Sequence, residues 1–440
     1  MKKSWIKLPL ALMLAAVLLA GCGGNAAKTS DTPAASSPAA SSSAPSEAPA
    51  PSSNIDPNKN TIRIGMARPE SGVYEVFEQT VFGPIYKMWV DEVNANGGLY
   101  IKEYDKKMPI EIIRYDDGSD METMVRLSEK LMTEDKVDFM FPSCSTAFLF
   151  AQAEITNKYG YLLFGAEGGA AELSKTYDKY PLFFSPVNHS TTQMPALVEV
   201  LKQQGVKTAY IVYIEDLHGL EYYNAATPLL KDAGIDVLGA KSVPPDINDL
   251  TPVITAAKDS NADAFLMFCY PDQNFPATFV AMQIGYNPKV FLFGPGMSMD
   301  AFPYGVLGDP ALAEGCMGFG AWNAKSGTGA AEFVAKFKEK WPDIGLEWWG
   351  HLPDYCALQI FEQAVVGAGT LDNVKVAEYM KNNKFQTYMG EIWFTNNTID
   401  EACWLGNVGQ WQNGVYEVID VDANRRTADP IYPKPAWPAP

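Results

Sequence analysis

The chain has 440 residues, of which 47% are hydrophobic and 12% aromatic, and it carries a formal net charge of −18. That much apolar material is enough to fill two domain cores. The acidity excludes a nucleic-acid partner, which needs a basic face, and excludes adhesion to anionic lipid through the protein surface.

Lys2, Lys3 and Lys7 surround the start of an apolar run from Leu8 to Ala20 that is short for a membrane span and ends in small residues. This pattern predicts a signal peptide over residues 1–21. The run closes on Leu19-Ala20-Gly21-Cys22, a lipobox, so Cys22 is the expected lipidation site and membrane anchor. Residues 22–58 are Ala, Ser and Pro with almost no large apolar side chain. Such a stretch buries too little surface to offset its conformational entropy, and a disordered tether is expected there.

Strand and helix signals then alternate. Thr61–Met66, Pro109–Tyr115, Val137–Phe141 and Tyr161–Phe164 read as strands. Between them, Phe77–Asn96 has helical spacing and stops at Gly97-Gly98, Ser119 with Glu122 reads as a capping box, and Ser145 opens a further helix. The series restarts with helices over Thr192–Gln204, Leu220–Ala233, Leu250–Ser260 and Pro276–Ile284. These lead into strands over Ala209–Ile214, Ile235–Gly239, Ala264–Cys269 and Val290–Phe293. Two such series predict an α/β protein with two doubly wound parallel sheets. In the tail, helices are expected over Ala330–Lys340, Asp354–Ala368 and Val374–Asn382, and a strand over Tyr388–Phe394. Gln412-Asn413-Gly414 between the runs Val408–Trp411 and Val415–Val421 is a hairpin signal. Two lobes are expected, one from 59–183 plus 323–386 and the other from 184–322 plus 387–440. Ligands of open α/β sheets bind at the carboxyl ends of the strands, which points to the cleft between the lobes.

The usual catalytic and metal signatures are missing. The histidines His189, His218 and His351 form no metal pair, and there is no G-x-S-x-G and no Walker A motif. Cys144, Cys269, Cys316, Cys356 and Cys403 contain no C-x-x-C and read as small buried hydrophobes. Ser143-Cys144-Ser145 is a conceivable nucleophile cluster that still needs a base. No enzyme activity, cofactor or metal is expected. Strand-end polar residues suit binding better. Ser145 and Thr146 sit where a helix begins, and its free N–H groups suit a carboxylate, although Ser145 also serves as an ordinary cap. Glycines in Gly165–Gly169 let backbone N–H groups approach a ligand.

Arg68–Gly72, Val90–Gly98, Leu131–Val137, Tyr159–Leu163, Gly294-Pro295 and Gly409–Val415, in this order and behind a lipobox, form a recognisable series. From Thr61 onward the chain resembles the branched-chain amino acid-binding (leucine/isoleucine/valine-binding) family of ABC transporter solute-binding proteins. The resemblance implies a type I periplasmic-binding-protein clamshell with three hinge crossovers that closes on its ligand. It implies a monomer that hands a small molecule to an ABC permease at the cell surface or in the periplasm. A sensor signalling to a membrane partner uses the same fold, and a surface hydrolase is the third reading.

The resemblance also distributes roles. Ser145 or Thr146 would hold a ligand carboxylate. Glu167 and Gly169 fall on the next loop, where the family adds N–H groups and a threonine hydroxyl that is missing here. Tyr270 matches a tyrosine that meets the ligand ammonium. The acid that follows Gly-Pro in the family is Gly296 here, so another acid must substitute (Glu167, Asp216 or Asp272) or the ligand lacks an α-ammonium, and the second is preferred. Arg68 would supply positive charge, and Tyr74, Phe77, His218 and Trp322 would complete an aromatic, polar pocket.

Overall fold

The computed structural model describes residues 56–169 and 171–437; the expected signal peptide, Cys22 and the tether up to residue 55 lie outside the described residues. Five short strands make the first sheet: β1 Ile62–Arg68, β2 Ile110–Asp116, β3 Phe139–Met140, β4 Leu163–Phe164 and β5 Phe183–Phe184. They are all parallel and run in the order β2-β1-β3-β4-β5. The second sheet contains β6 Thr208–Ile214, β7 Asp236–Val243, β8 Ala264–Phe268, β9 Val290–Phe293, β10 Met317–Phe319, β11 Val408–Gln412 and β12 Val415–Val418. Its order is β12-β11-β10-β9-β8-β6-β7. The five strands β6 to β10 are parallel, and the β11–β12 hairpin adds an antiparallel edge to β10. Asn413 and Gly414 turn that hairpin with positive φ at both positions, the backbone that Asn-Gly favours.

Helices cover both sheets, which is why central strands such as β8 and β9 are buried along their whole length and read as unbroken apolar runs. The first series carries α1 Gly83–Ala95, α2 Met121–Thr133 and α3 Thr146–Tyr159. The second carries α4 Ser190–Gln203, α5 Leu217–Asp232, α6 Thr251–Ser260 and α7 Pro271–Gln283. The chain then returns to the core of the first sheet with α8 Ala330–Lys340, α9 His351–Ala368 and α10 Asn373–Asn382. It therefore passes between the sheets three times: after β5, after β10 and before β11.

Three local readings are corrected. The helix expected from Phe77 is interrupted by a π-helical stretch, Glu78–Phe82. Pro84 has no N–H to continue an ordinary ladder, and the Gly83 N–H reaches back to the Glu78 carbonyl. A Cβ at Gly83 would lie 2.5 Å from that carbonyl oxygen, so only glycine fits. The cap of α2 is Asp120, whose carboxylate accepts from the Thr123 N–H at 2.8 Å, rather than Ser119. The segment from Phe385 to Trp404, placed partly in the second lobe by the boundary at 387, packs into the first sheet's core through Ile392, Phe394, Ile399 and Trp404. All five cysteines of the described residues are buried and unpaired, each walled in as a small apolar side chain.

Candidate functional site

The carboxyl ends of the two sheets face one cavity with about 740 Å³ of empty space, counting the part open to solvent. The first sheet contributes Cys144, Ser145 and Thr146 after β3 and Glu167, Gly168 and Gly169 after β4. The second contributes His218 after β6, Tyr270 after β8, Gly294 and Pro295 after β9, and Phe319 at the end of β10. Glu347 and Trp349 enter from the crossing that leads into α9, and Phe77, Val81 and Phe82 from the π-helical entry to α1.

Ser145 is the most distinctive residue of this cavity. It stands immediately before α3, yet its hydroxyl does not cap that helix and makes no well-formed hydrogen bond among the described residues, with the Tyr74 hydroxyl close by. The residue is only 6% exposed. Its φ of 86° is a conformation that non-glycine residues adopt only when the surroundings enforce it. Here the Ser145 N–H donates to the Glu167 carbonyl at 3.1 Å and ties the loop after β3 to the loop after β4. Gly168 makes this contact possible, because a Cβ there would lie 2.8 Å from the Thr146 nitrogen. The hydroxyl stands beside the first N–H groups of α3, where a helix start carries partial positive charge.

Glu167 is held from behind. Its Oε1 accepts from Arg68 Nη1 at 2.6 Å and from the Tyr86 hydroxyl, while Oε2 is buried without a partner. Burial pushes this carboxyl up and the Arg68 guanidinium opposes the shift. On the opposite wall His218 stacks on Tyr270 with ring centroids 5.0 Å apart and contacts the Gly294 carbonyl. Burial lowers its pKa, which favours the neutral imidazole. The Tyr270 hydroxyl is also buried without a well-formed hydrogen bond among the described residues, with Asp216 and Tyr74 close by. Tyr222, one turn after His218 on α5, stacks on Phe319 at 4.9 Å and donates to Gln193. The cavity thus joins a mostly aromatic wall to three unfilled hydrogen-bonding groups.

Glu347 is the second acid on the wall. It accepts from the Trp349 N–H at 3.1 Å, from the Gly350 N–H and from the Ser298 hydroxyl. Burial pushes its carboxyl up to about 7. Between the ordinary carboxylate range and that value, the folded protein holds a proton that the unfolded chain has lost. Stability from this group therefore falls as pH rises through that window. Glu347→Gln is expected to remove this slope: its stability relative to the parent should increase between about pH 5 and about pH 7.5, read by urea denaturation at both values.

The sequence model of the periplasmic binding protein family matches residues 61–414. The chain belongs to the periplasmic binding protein family. A Leu/Ile/Val-binding protein homologue from Brucella melitensis is 22% identical over 387 residues, spanning 83% of this chain and 93% of its own. Two solved structures share the fold. A solute-binding protein of an ABC transporter from Rhodopseudomonas palustris, in complex with 3,4-dihydroxybenzoic acid, superposes with a TM-score of 0.70 at 16% identity, over 82% of this chain and 96% of that one. A leucine-binding protein from Thermotoga maritima gives 0.69 at 17% identity, over 81% and 97%. These are binding proteins and not enzymes. Inside this one, the Ser145 hydroxyl has no base bonded to it, and burial drives the neighbouring Cys144 thiol well up, away from the reactive thiolate.

The periplasmic binding protein brings seven of the expected site residues to the cavity wall: Phe77, Ser145, Thr146, Glu167, Gly169, His218 and Tyr270. Four stay off it. Arg68 is fully buried and already engaged by Glu78 and Glu167, so it offers no charge to the cavity. Tyr74 packs edge-on against Tyr270 and Phe148, outside the wall. Gly296 has a φ of 107°, and a Cβ there would press on Phe275 and Pro271 at 3.1 and 3.2 Å; no carboxylate-bearing side chain is accommodated at this position without strain. Trp322 is 1% exposed in the first sheet's core, packed on Phe333 and Trp348. Of the other acids considered, Asp216 caps α5 and Asp272 is exposed, and neither lines the cavity. Phe82, Tyr222, Glu347 and Trp349 were not anticipated. Tyr222 had a signal, four residues beyond His218 on one helix face.

Proposed function

We propose that this protein is the extracytoplasmic solute-binding component of an ABC importer, anchored through lipid on Cys22, that captures a small carboxylate-bearing solute between its lobes. The observation that carries the reading is the buried Ser145 hydroxyl, without a well-formed hydrogen bond, at the start of α3, set in an aromatic cavity at the carboxyl ends of both sheets. The solute's carboxylate would accept from that hydroxyl and from the first N–H groups of α3, and its apolar body would lie among Phe77, Tyr270 and Trp349. Binding would draw the two sheets together about the three crossings, and the closed form would engage the permease. A structural neighbour named as leucine-binding and one solved with 3,4-dihydroxybenzoic acid support a carboxylate as the common element. A free monomer carries the whole cavity, since a single chain supplies every wall.

A melting-temperature screen of aliphatic and aromatic acids, amino acids and amides tests this. A ligand at a hundred times its dissociation constant stabilises by about 2.7 kcal/mol, a readable shift. Ser145→Ala is expected to weaken the best acid by roughly tenfold to a hundredfold, the size of one hydrogen bond to a charged group. An unchanged affinity in that variant would remove Ser145 from the site. A screen in which only amides shift the melting temperature would overturn the carboxylate assignment.

A further inference from the structure

The loop after β4 runs from the cavity wall at Gly169 into a short helix, Ala171–Lys175. Its path brings it onto α5 of the other lobe. Within the cavity, Gly169 lies against Tyr222: a Cβ there would stand 3.8 Å from the Tyr222 hydroxyl. Just outside the wall, the neighbouring Glu221 spans from one lobe to the other. Its Oε2 accepts from the Ala171 N–H and its Oε1 from the Glu172 N–H, both at 3.4 Å. Among the described residues, neither oxygen bonds within its own lobe. The Glu221 carboxylate therefore holds the first lobe by the segment that carries Glu167, Gly168 and Gly169, without itself lining the cavity.

Charge around this contact is unbalanced. From the facing helix, Glu172 pushes the Glu221 carboxyl up and Lys175 pulls it down, and those two already pair with each other at 2.6 Å. His189, bonded to Ser174 of the same helix, is pushed down to about 4 by burial and is neutral near pH 7. On α5 itself are the cap Asp216 and His218, whose pKa burial lowers. Glu199 and Lys202 of α4 pair with each other at 3.2 Å. The first two turns of α3, which also packs on α5, carry no charged residue. Burial between the lobes is the largest influence on Glu221, and it pushes the carboxyl up to about 7 against the pull of the two N–H groups.

We propose that Glu221 is a positioning residue for ligand capture: it clasps the loop after β4 against α5 and so sets how readily the two lobes close on the bound acid. The inference rests on the reading that binding draws the two sheets together. In an open form the carboxyl is solvated and titrates in the ordinary carboxylate range, near about 4.3. Closing moves it between the lobes, where the neutral form is favoured. Closure therefore takes up a proton between that range and about 7, and affinity for the acid falls as pH rises through the same window.

Titration calorimetry on the whole protein tests this, with leucine and 3,4-dihydroxybenzoate as the probes at about pH 5.5 and about pH 8. The probe that binds is expected to bind about fivefold or more tightly at the lower pH. Glu221→Gln, which cannot ionise, should lose the pH dependence and bind at the higher pH about as tightly as the parent does at the lower. Glu221→Ala removes the clasp, so it should lose the pH dependence as well but bind weakly at both values. A glutamate that only stabilised the fold would lower the melting temperature when replaced and leave the pH profile of the affinity intact. If the parent binds equally at both pH values, or if the dependence survives in Glu221→Gln, the clasp is wrong and the carboxylate reading stands. If neither probe binds at either pH, both fall.

Discussion

Arg68→Leu is expected to destabilise the protein by about 3–5 kcal/mol, because it strips the cation from two buried carboxylates and leaves the acids in place. Arg68 lies at the end of β1 with no exposed surface. Its Nε donates to Glu78 Oε2 at 2.7 Å, and its Nη1 donates to Glu167 Oε1 and to the Pro142 carbonyl, both at 2.6 Å. Without it Glu78 retains Arg114, but Glu167 retains only the Tyr86 hydroxyl. The loss should appear as a lower midpoint in urea denaturation. A second variant separates charge from packing. Arg68→Leu combined with Glu167→Leu removes the stranded acid, and it should recover part of the stability. If Arg68→Leu alone is as stable as the parent, the buried ion pair is not what holds the loop after β4 in place.

Trp322→Ala should cost a similar amount, about 3–5 kcal/mol, as expected for a large aromatic removed from a packed core. Trp322 packs on Phe333 of α8 at 5.7 Å and on Trp348 at 4.9 Å, where the chain crosses back to the first sheet. Because it does not line the cavity, the affinity of any bound acid should be unchanged once the variant is folded. Trp349→Ala should behave in the opposite way. That ring lies on Gly320, donates to Asn188 Oδ1 at 3.3 Å and faces the cavity, so its removal should weaken binding more than stability. Equal binding losses in the two variants would contradict this division of labour.

These two tryptophans show how far the sequence could be read. Alternating apolar runs and glycine stops marked most strands and helices, and Asn413-Gly414 marked the hairpin, because those signals are local. The strand-end residues Ser145, Glu167, His218 and Tyr270 were legible for a related reason: the loop that follows a parallel strand must emerge at the carboxyl edge of its sheet. Glu347 and Trp349 come from a crossing whose path is set by tertiary packing, and nothing in their spacing says which way they point. Arg68 misled because a guanidinium after a strand suggests a ligand contact, whereas the widened turn at Glu78–Phe82 swings Glu78 onto it and pairs it within the lobe. The absence of an acid at Gly296 was visible in the sequence. Which acid faces that gap was left open: of Glu167, Asp216 and Asp272 the fold brings only Glu167 to the cavity wall, and it adds Glu347.

The central claim is that a ligand carboxylate is held by Ser145 and the start of α3. Titration calorimetry of one bound acid and its primary amide, against the parent protein and Ser145→Ala, tests it most directly. The account predicts that the acid binds at least about tenfold more tightly than the amide in the parent, and that Ser145→Ala abolishes most of that difference. Equal affinities for acid and amide in the parent, or a difference that survives in Ser145→Ala, would contradict it.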